Sequence, residues 1–212
     1  MGTINKGILG GFSGKVGSVV GGNWKGIDYM RSKGTRSNFT PSTIQLEQQA
    51  KFGLAIRFVQ SMSGLVAVGY RNYAIKQTGA NGAVSYVLKN AIGGTYPNSS
   101  ILYADVLISR GDLPNVLAPA VTMGAASLLT YSWTDNSGVG IARATDKMML
   151  AAYCPAFNQC IYTTGSASRS AVTDALNLAT FSGNVVETYI SCLSDNGRNI
   201  ASIIYTGQVT VA

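Results

Sequence analysis

The stretch with the densest chemical potential is GGFSGKVGSVVGGNWKGIDYMRS, residues 10–32, where glycines surround Lys15, Trp24, Lys25, Tyr29 and Arg31. Glycine beside lysine can cradle phosphate, because backbone N–H groups and an ammonium converge on the anion. A phosphate loop, however, needs glycine five residues before the Gly-Lys pair and Ser or Thr after it. For Gly14-Lys15 those places hold Leu9 and Val16. No G-x-G stands between Gly10 and Gly26, which removes the dinucleotide fingerprint as well. Nucleotide chemistry fails on spacing.

Other catalytic chemistry is equally short of parts. The 212 residues include no histidine, so Ser-His-Asp and Cys-His catalysis, the usual general base and the commonest zinc ligand are missing. Cys154, Cys160 and Cys192 are too few for a four-cysteine metal site. No S-x-x-K tetrapeptide supports Ser-Lys chemistry. The nine carboxylates are scattered, with none close together in sequence after residue 118. The expectation is a protein that is not an enzyme, with no cofactor, metal or small-molecule substrate.

What residues 10–32 retain is geometry. Glycines at 7, 10, 14, 17 and 21 recur every three or four residues. Such spacing lets backbones approach closely, but it makes the segment entropically costly to order alone. Trp24, Tyr29 and Arg31 are types enriched where interfaces concentrate their energy. Gly14, Gly17, Trp24, Lys25, Gly26, Tyr29 and Arg31 are therefore expected to form an assembly interface with further copies or other subunits. The competing reading is a hairpin folded onto its own chain. A second function reading takes Lys15, Lys25, Arg31, Lys33 and Arg36 as phosphate contacts, with Trp24 and Tyr29 stacking on nucleic-acid bases.

Charge sharpens the contrast between the two halves. Residues 1–118 hold twelve Lys and Arg against Asp28, Glu47, Asp105 and Asp112, whereas residues 119–212 are net −1 within a total of +7. Such asymmetry suits an acidic partner at the front, although a solvated basic face would look the same. Only 12% of residues are charged and 46% are hydrophobic, the balance of a folded chain and of a subunit in something larger. No run of 18 apolar residues offers a membrane span. The first residues lack a sustained apolar core, so cytoplasmic synthesis without a signal peptide is expected, with release in a virion or particle. Cys154 and Cys160, flanking PAFNQ, could face each other across a hairpin; free buried thiols are the other reading.

Three regions must position these residues. Residues 1–40 form a Gly-rich basic arm, with KVGSVV and NWKGIDYMRS joined at Gly21-Gly22 as a two-residue hairpin turn. In the second run Ile27, Tyr29 and Arg31 share a face with Lys25, while Asp28 and Met30 share the other with Trp24. Residues 41–117 form an α+β middle domain. Its helix starts after Thr40-Pro41-Ser42 and carries Ile44, Leu46, Ala50, Phe52, Ala55, Phe58, Val59 and Met62. NGAVSYVLKNAI is a shorter helix, SILYADVLIS a strand, and GDLPN a linker. Residues 118–212 are all β, as seven runs: AVTMGA, SLLTYSWT, KMMLAAYC, QCIYTT, TDALNLA, VVETYISCL and NIASIIYTGQVTVA.

That seven-run pattern matches a Greek-key sandwich of immunoglobulin or fibronectin type III kind. VVETYISCLSDNGRNIASIIYTGQVTV resembles the last two strands of such a domain. The resemblance puts Tyr189 at the tyrosine corner and Trp133 in the core. The antibody Cys…Trp…Cys pattern is missing, which favours the fibronectin type III branch. A third function reading follows, a sandwich that binds carbohydrate or a cell surface through exposed aromatics. Over its whole length the chain also resembles a family of uncharacterised bacterial proteins, most sharply at Gly14, Gly17, Trp24, Lys25, Gly26, Arg31, Gln48 and Phe52. Its Gly-rich VG…WKG…R start is similar to small phage structural proteins. These resemblances imply a structural role and no catalytic residue; a homo-oligomer or larger assembly is expected from the composition of the arm.

Overall fold

The computed structural model describes residues 2–4, 7, 10–34, 40–73 and 77–212. The chain divides into two compact units, Met1–Ser42 and Thr43–Ala212.

The first unit is an antiparallel meander of β1 (Thr3–Ile4), β2 (Phe12–Val16), β3 (Val19–Trp24) and β4 (Ile27–Ser32), in that spatial order. Its turns are not where the glycine pair suggested. The β3–β4 turn is Lys25-Gly26, with φ of 48° and 84°, the left-handed pair that a two-residue hairpin turn requires. The β2–β3 turn is Gly17-Ser18, with Gly17 at φ 58°. Gly21 and Gly22 lie inside β3, and close approach explains them. A Cβ on Gly21 would sit 2.2 Å from the Phe12 carbonyl oxygen, and one on Gly22 would sit 2.9 Å from the Tyr29 ring. The glycines thin a strand instead of bending it.

The second unit opens with α1 (Thr43–Ser61), a helix as expected, but within it only Ala55, Phe58 and Val59 of the expected apolar face are buried, while Ile44, Leu46 and Phe52 are exposed. The chain then turns by 86° into α2 (Ser63–Gly69), a short helix without a polar face to advertise it. No single described helix is long and apolar enough to cross a membrane. The next helix, α3 (Gly79–Asn90), begins two residues before the expected run, at a cap where Thr78 Oγ1 accepts from the Asn81 N–H at 3.2 Å. A minimal hairpin follows, β5 (Ile92–Gly93) with β6 (Ser100–Ile101). SILYADVLIS is therefore strand only at its start. A 3₁₀ turn at Tyr103–Asp105 breaks the ladder, while Val106 and Ile108 are buried regardless. GDLPN is no linker either: Asp112 and Leu113 bridge to Ala201, and Leu113 N–H donates to Ile200 O at 3.1 Å.

All seven expected β runs are strands: β7 (Leu117–Met123), β8 (Leu128–Thr134), β9 (Lys147–Cys154), β10 (Gln159–Ser168), β11 (Thr173–Asn177), β12 (Val185–Leu193) and β13 (Ile204–Thr210). They form two antiparallel sheets, β11-β8-β7 and β10-β9-β12-β13. Among the described residues the fold is thus mostly β-sheet with three α-helices, and its larger part is a β-sandwich with a helical layer. The two central strands, β9 and β12, are buried on both faces. Met148, Leu150, Ala152, Cys154, Val186, Ile190 and Cys192 meet Leu129, Tyr131, Trp133 and Phe181 inside the sandwich. Met149, Ala151, Tyr153 and Tyr189 face the other way and pack with Phe58, Met62, Leu65, Val66 and Val87 of the helices. Phe58 meets Tyr153 edge-on at 4.8 Å. The segments 41–117 and 118–212, expected as separate domains, share this core within one unit.

Two sandwich expectations change as a result. Trp133 is a core residue as expected, and its Nε1 donates to Arg169 O at 2.7 Å. Tyr189 does not close a tyrosine corner: it lies on the helical side, where its hydroxyl donates to Tyr103 O at 3.0 Å. Cys154 and Cys160 do not bridge. Cys160 is paired with Tyr153 and Cys154 with Gln159, so successive pleats send the two thiols to opposite faces of the sheet. All three cysteines are free.

Candidate assembly surface

The N-terminal sheet brings the expected interface residues onto one surface by register. Residues directly opposite in antiparallel strands project to the same face. Trp24 pairs with Ile27, Gly22 with Tyr29 and Val20 with Arg31, while Lys15 pairs with Val20. One face therefore carries Lys15, Val20, Trp24, Ile27, Tyr29 and Arg31. Trp24 sits with Ile27 and Tyr29 here, not with Asp28 and Met30, because the turn falls at Lys25-Gly26. Lys25 occupies that turn and stays off the Ile27–Tyr29–Arg31 face on which it was expected. The stripe is exposed, at 54% for Trp24, 62% for Ile27 and 48% for Tyr29.

The other face carries Val16, Val19, Asp28 and Met30, also exposed. Asp28 is the only acid of the unit, and Asn23 Nδ2 donates to it at 2.6 Å. Asn23 Oδ1 accepts in turn from the Gly26 N–H at 3.1 Å, bracing the hairpin end. Residues 1–42 hold Lys6, Lys15, Lys25, Arg31, Lys33 and Arg36 against Asp28, so five of the seven net positive charges sit in this unit. Lys15, Lys25, Arg31 and Lys33 are all exposed. The nucleic-acid contact expected at Arg36 lies outside the described residues.

Gly14, Gly17 and Gly26 contribute conformation to this surface, with φ of 102°, 58° and 84°. A Cβ at Gly17 or Gly26 would meet nothing within 4 Å, so these glycines shape turns and touch no partner within the chain. Ile27 keeps the face expected with Tyr29 and Arg31, and Val20 was missed there, although alternation could have found it once the turn was placed. Most telling is what the unit does not bury. Among its residues whose burial is described, only Gly21 is buried.

Two carboxylates of the second unit are engaged in structure. Glu187 accepts from the Tyr205 hydroxyl at 2.6 Å and from Gln208 Nε2 at 3.0 Å. Asp146 is paired with Arg169 at 3.1 Å. Among the described residues, no three His, Cys, Asp or Glu side chains cluster to hold a metal. Sequence reasoning passed over the Asp146–Arg169 pair, because 23 residues separate its members and only the sandwich brings them together.

Residues 11–207 match a family described as "Family of unknown function (DUF6266)", and the chain belongs to that family. No curated protein matches it. Among solved structures, the fn3 domain of human collagen alpha-1(XX) chain in solution is similar at 13% identity, covering 49% of this chain and 90% of that one, with a TM-score of 0.35. Likeness at that score carries no argument. The resemblance to phage structural proteins finds no support among these comparisons.

Proposed function

We propose that this DUF6266 member is a non-enzymatic structural subunit that assembles through its N-terminal four-stranded sheet, with further copies or other subunits of a particle or surface assembly. One observation carries the reading: among the residues of 2–42 whose burial is described no side chain is buried, while Trp24, Ile27, Tyr29 and Met30 stand in solvent. A small sheet without a core is marginal in water, since strands need a packed face for independent stability. Covering large apolar side chains contributes about 1.5–3 kcal/mol each, enough for three or four of them to drive docking.

The remainder of the chain reads as the displayed body. Its first, second and fifth sandwich strands share one sheet, and its fourth, third, sixth and seventh share the other. That is the immunoglobulin-like arrangement with the fourth strand moved to the opposite sheet. With no inter-sheet disulfide, the fibronectin type III branch is the closer reading.

Native mass against concentration tests the proposal, for the full chain and for Trp24→Ala/Tyr29→Ala. A defined oligomer that the double substitution dissolves supports it. A monomer at every concentration sinks it.

A second reading has its own observation. Lys15 and Arg31 share the face of Trp24 and Tyr29, which juxtaposes cations with stacking surfaces as single-strand binding requires. Titration of a single-stranded oligonucleotide at increasing salt decides it. Binding that weakens steeply with salt and is lost in Lys15→Ala/Arg31→Ala supports this reading, and salt-independent or absent binding ends it.

A further inference from the structure

One end of the sandwich carries a polar cleft of about 460 Å³ between the β8–β9 loop and the β12–β13 loop. Its lining includes Ile141, Arg143 and Asp146 from the first loop, with Ser194, Asp195, Asn196 and Asn199 from the second. Loops at the end of such a sandwich are where this architecture places variable binding surfaces.

Both loops are held in shape. Gly138 N–H donates to Ala142 O at 3.0 Å, and the Arg143 N–H donates to Asp146 Oδ2 at 2.8 Å. Ser194 N–H donates to Asn199 O at 2.8 Å. From outside the sandwich, Arg71 Nη1 donates to Gly197 O at 3.1 Å and Asn72 Nδ2 to Arg198 O at 2.8 Å. A cleft braced in this way loses little entropy when it is filled.

Asp146 makes the cleft more than a surface dimple. Its side chain is 1% exposed, Arg169 and the Arg143 N–H occupy Oδ2, and Oδ1 is buried without a hydrogen-bond partner among the described residues. A carboxylate oxygen left bare in the interior is costly and calls for a donor. The charges say which kind. Arg169 neutralises Asp146, and in the cleft Arg143 offsets Asp195, so neither a metal cation nor an anion meets a net complementary field. What is on offer is a mixed set, with Arg143, Asp195, Asn196 and Asn199 lining the cleft together with Asp146, beside the exposed Ile141 side chain.

We propose that this cleft binds a neutral polyhydroxylated ligand, a saccharide, with one hydroxyl donating to Asp146 Oδ1 and neighbouring hydroxyls bridging Asp195, Asn199 and Arg143. The site does not use the aromatic route expected from sequence, since Trp133 and Tyr189 are buried. It is independent of the N-terminal sheet and of the assembly proposal.

The test is an amide-resolved NMR titration of the full chain with a panel of glucose, galactose, mannose, N-acetylglucosamine and their disaccharides. Saturable shifts confined to residues 140–146 and 194–199 are expected for at least one sugar. Affinity should fall about tenfold in Asp195→Ala and in Asn199→Ala, both exposed positions whose loss leaves the fold intact. The proposal is overturned if no sugar gives a saturable shift, if both variants bind unchanged, or if calcium chloride alone titrates the same loops.

Discussion

Arg169 Nη2 lies 3.1 Å from Asp146 Oδ2, and neither side chain reaches water. The same guanidinium donates to Asn136 Oδ1 and, at 2.7 Å, to Pro114 O, so one buried ion ties the β8–β9 loop to the segment entering the sandwich. Its desolvation is offset only because nearly every donor has a fixed acceptor. Arg169→Met strands the Asp146 carboxylate in the interior and should cost about 3–5 kcal/mol. Urea unfolding measures the loss. The double variant Arg169→Met/Asp146→Leu should regain most of it, because no charge is then buried alone.

The close approach at Gly21 gives a second prediction. A methyl there meets the Phe12 carbonyl at 2.2 Å, a backbone atom that cannot swing away, whereas a methyl at Gly34 meets nothing within 4 Å. Gly21→Ala should part β2 from β3 at a cost of about 1–3 kcal/mol. Gly34→Ala should be silent. Amide chemical-shift dispersion across residues 12–32 distinguishes the two.

The thiols should be slow to react in the folded protein. Cys154 and Cys192 are fully buried, and burial pushes the Cys192 thiol up to about 11 and the Cys160 thiol up to about 12. Thiolate, the reactive form, is therefore scarce for these two at pH 8. An aromatic disulfide reagent should label none of the three cysteines promptly in the native state and all three after denaturation. Rapid native labelling of Cys160 would contradict the packing described for it.

Stability should decline on the alkaline side. Cys160 and Cys192 ionise near 9 when unfolded, and later when folded, so between those values the unfolded chain has released protons that the native chain retains. Their contribution is intact below about pH 8.5 and is lost as pH rises through 9 to 12. Tyr131 and Tyr189, also raised by burial, add to the loss above pH 10. Urea midpoints at pH 7 and pH 10.5 check the direction, and an unchanged or higher midpoint at pH 10.5 would refute it.

Much of this architecture was legible in the residues themselves. The strand runs from AVTMGA to QVTVA and the presence of α1 after Thr40-Pro41-Ser42 are local signals, because propensity, alternation and helix-start residues act over a few neighbours. The missing histidine is likewise read from the sequence alone, since a residue type either occurs in it or does not. Tertiary structure decided the rest, for reasons that distance along the chain conceals. Gly21-Gly22 and Lys25-Gly26 are both lawful turns, and only the register against Phe12 and Tyr29 selects between them. Continuous burial along β9 and β12 says that two layers cover the sheet, yet not that the second layer is the chain's own helices. Tyr189 obeyed that layer instead of the sandwich corner, and Asp146 met Arg169 across 23 residues. A polar atom's partner is chosen by which elements converge, and convergence is a property of the folded whole.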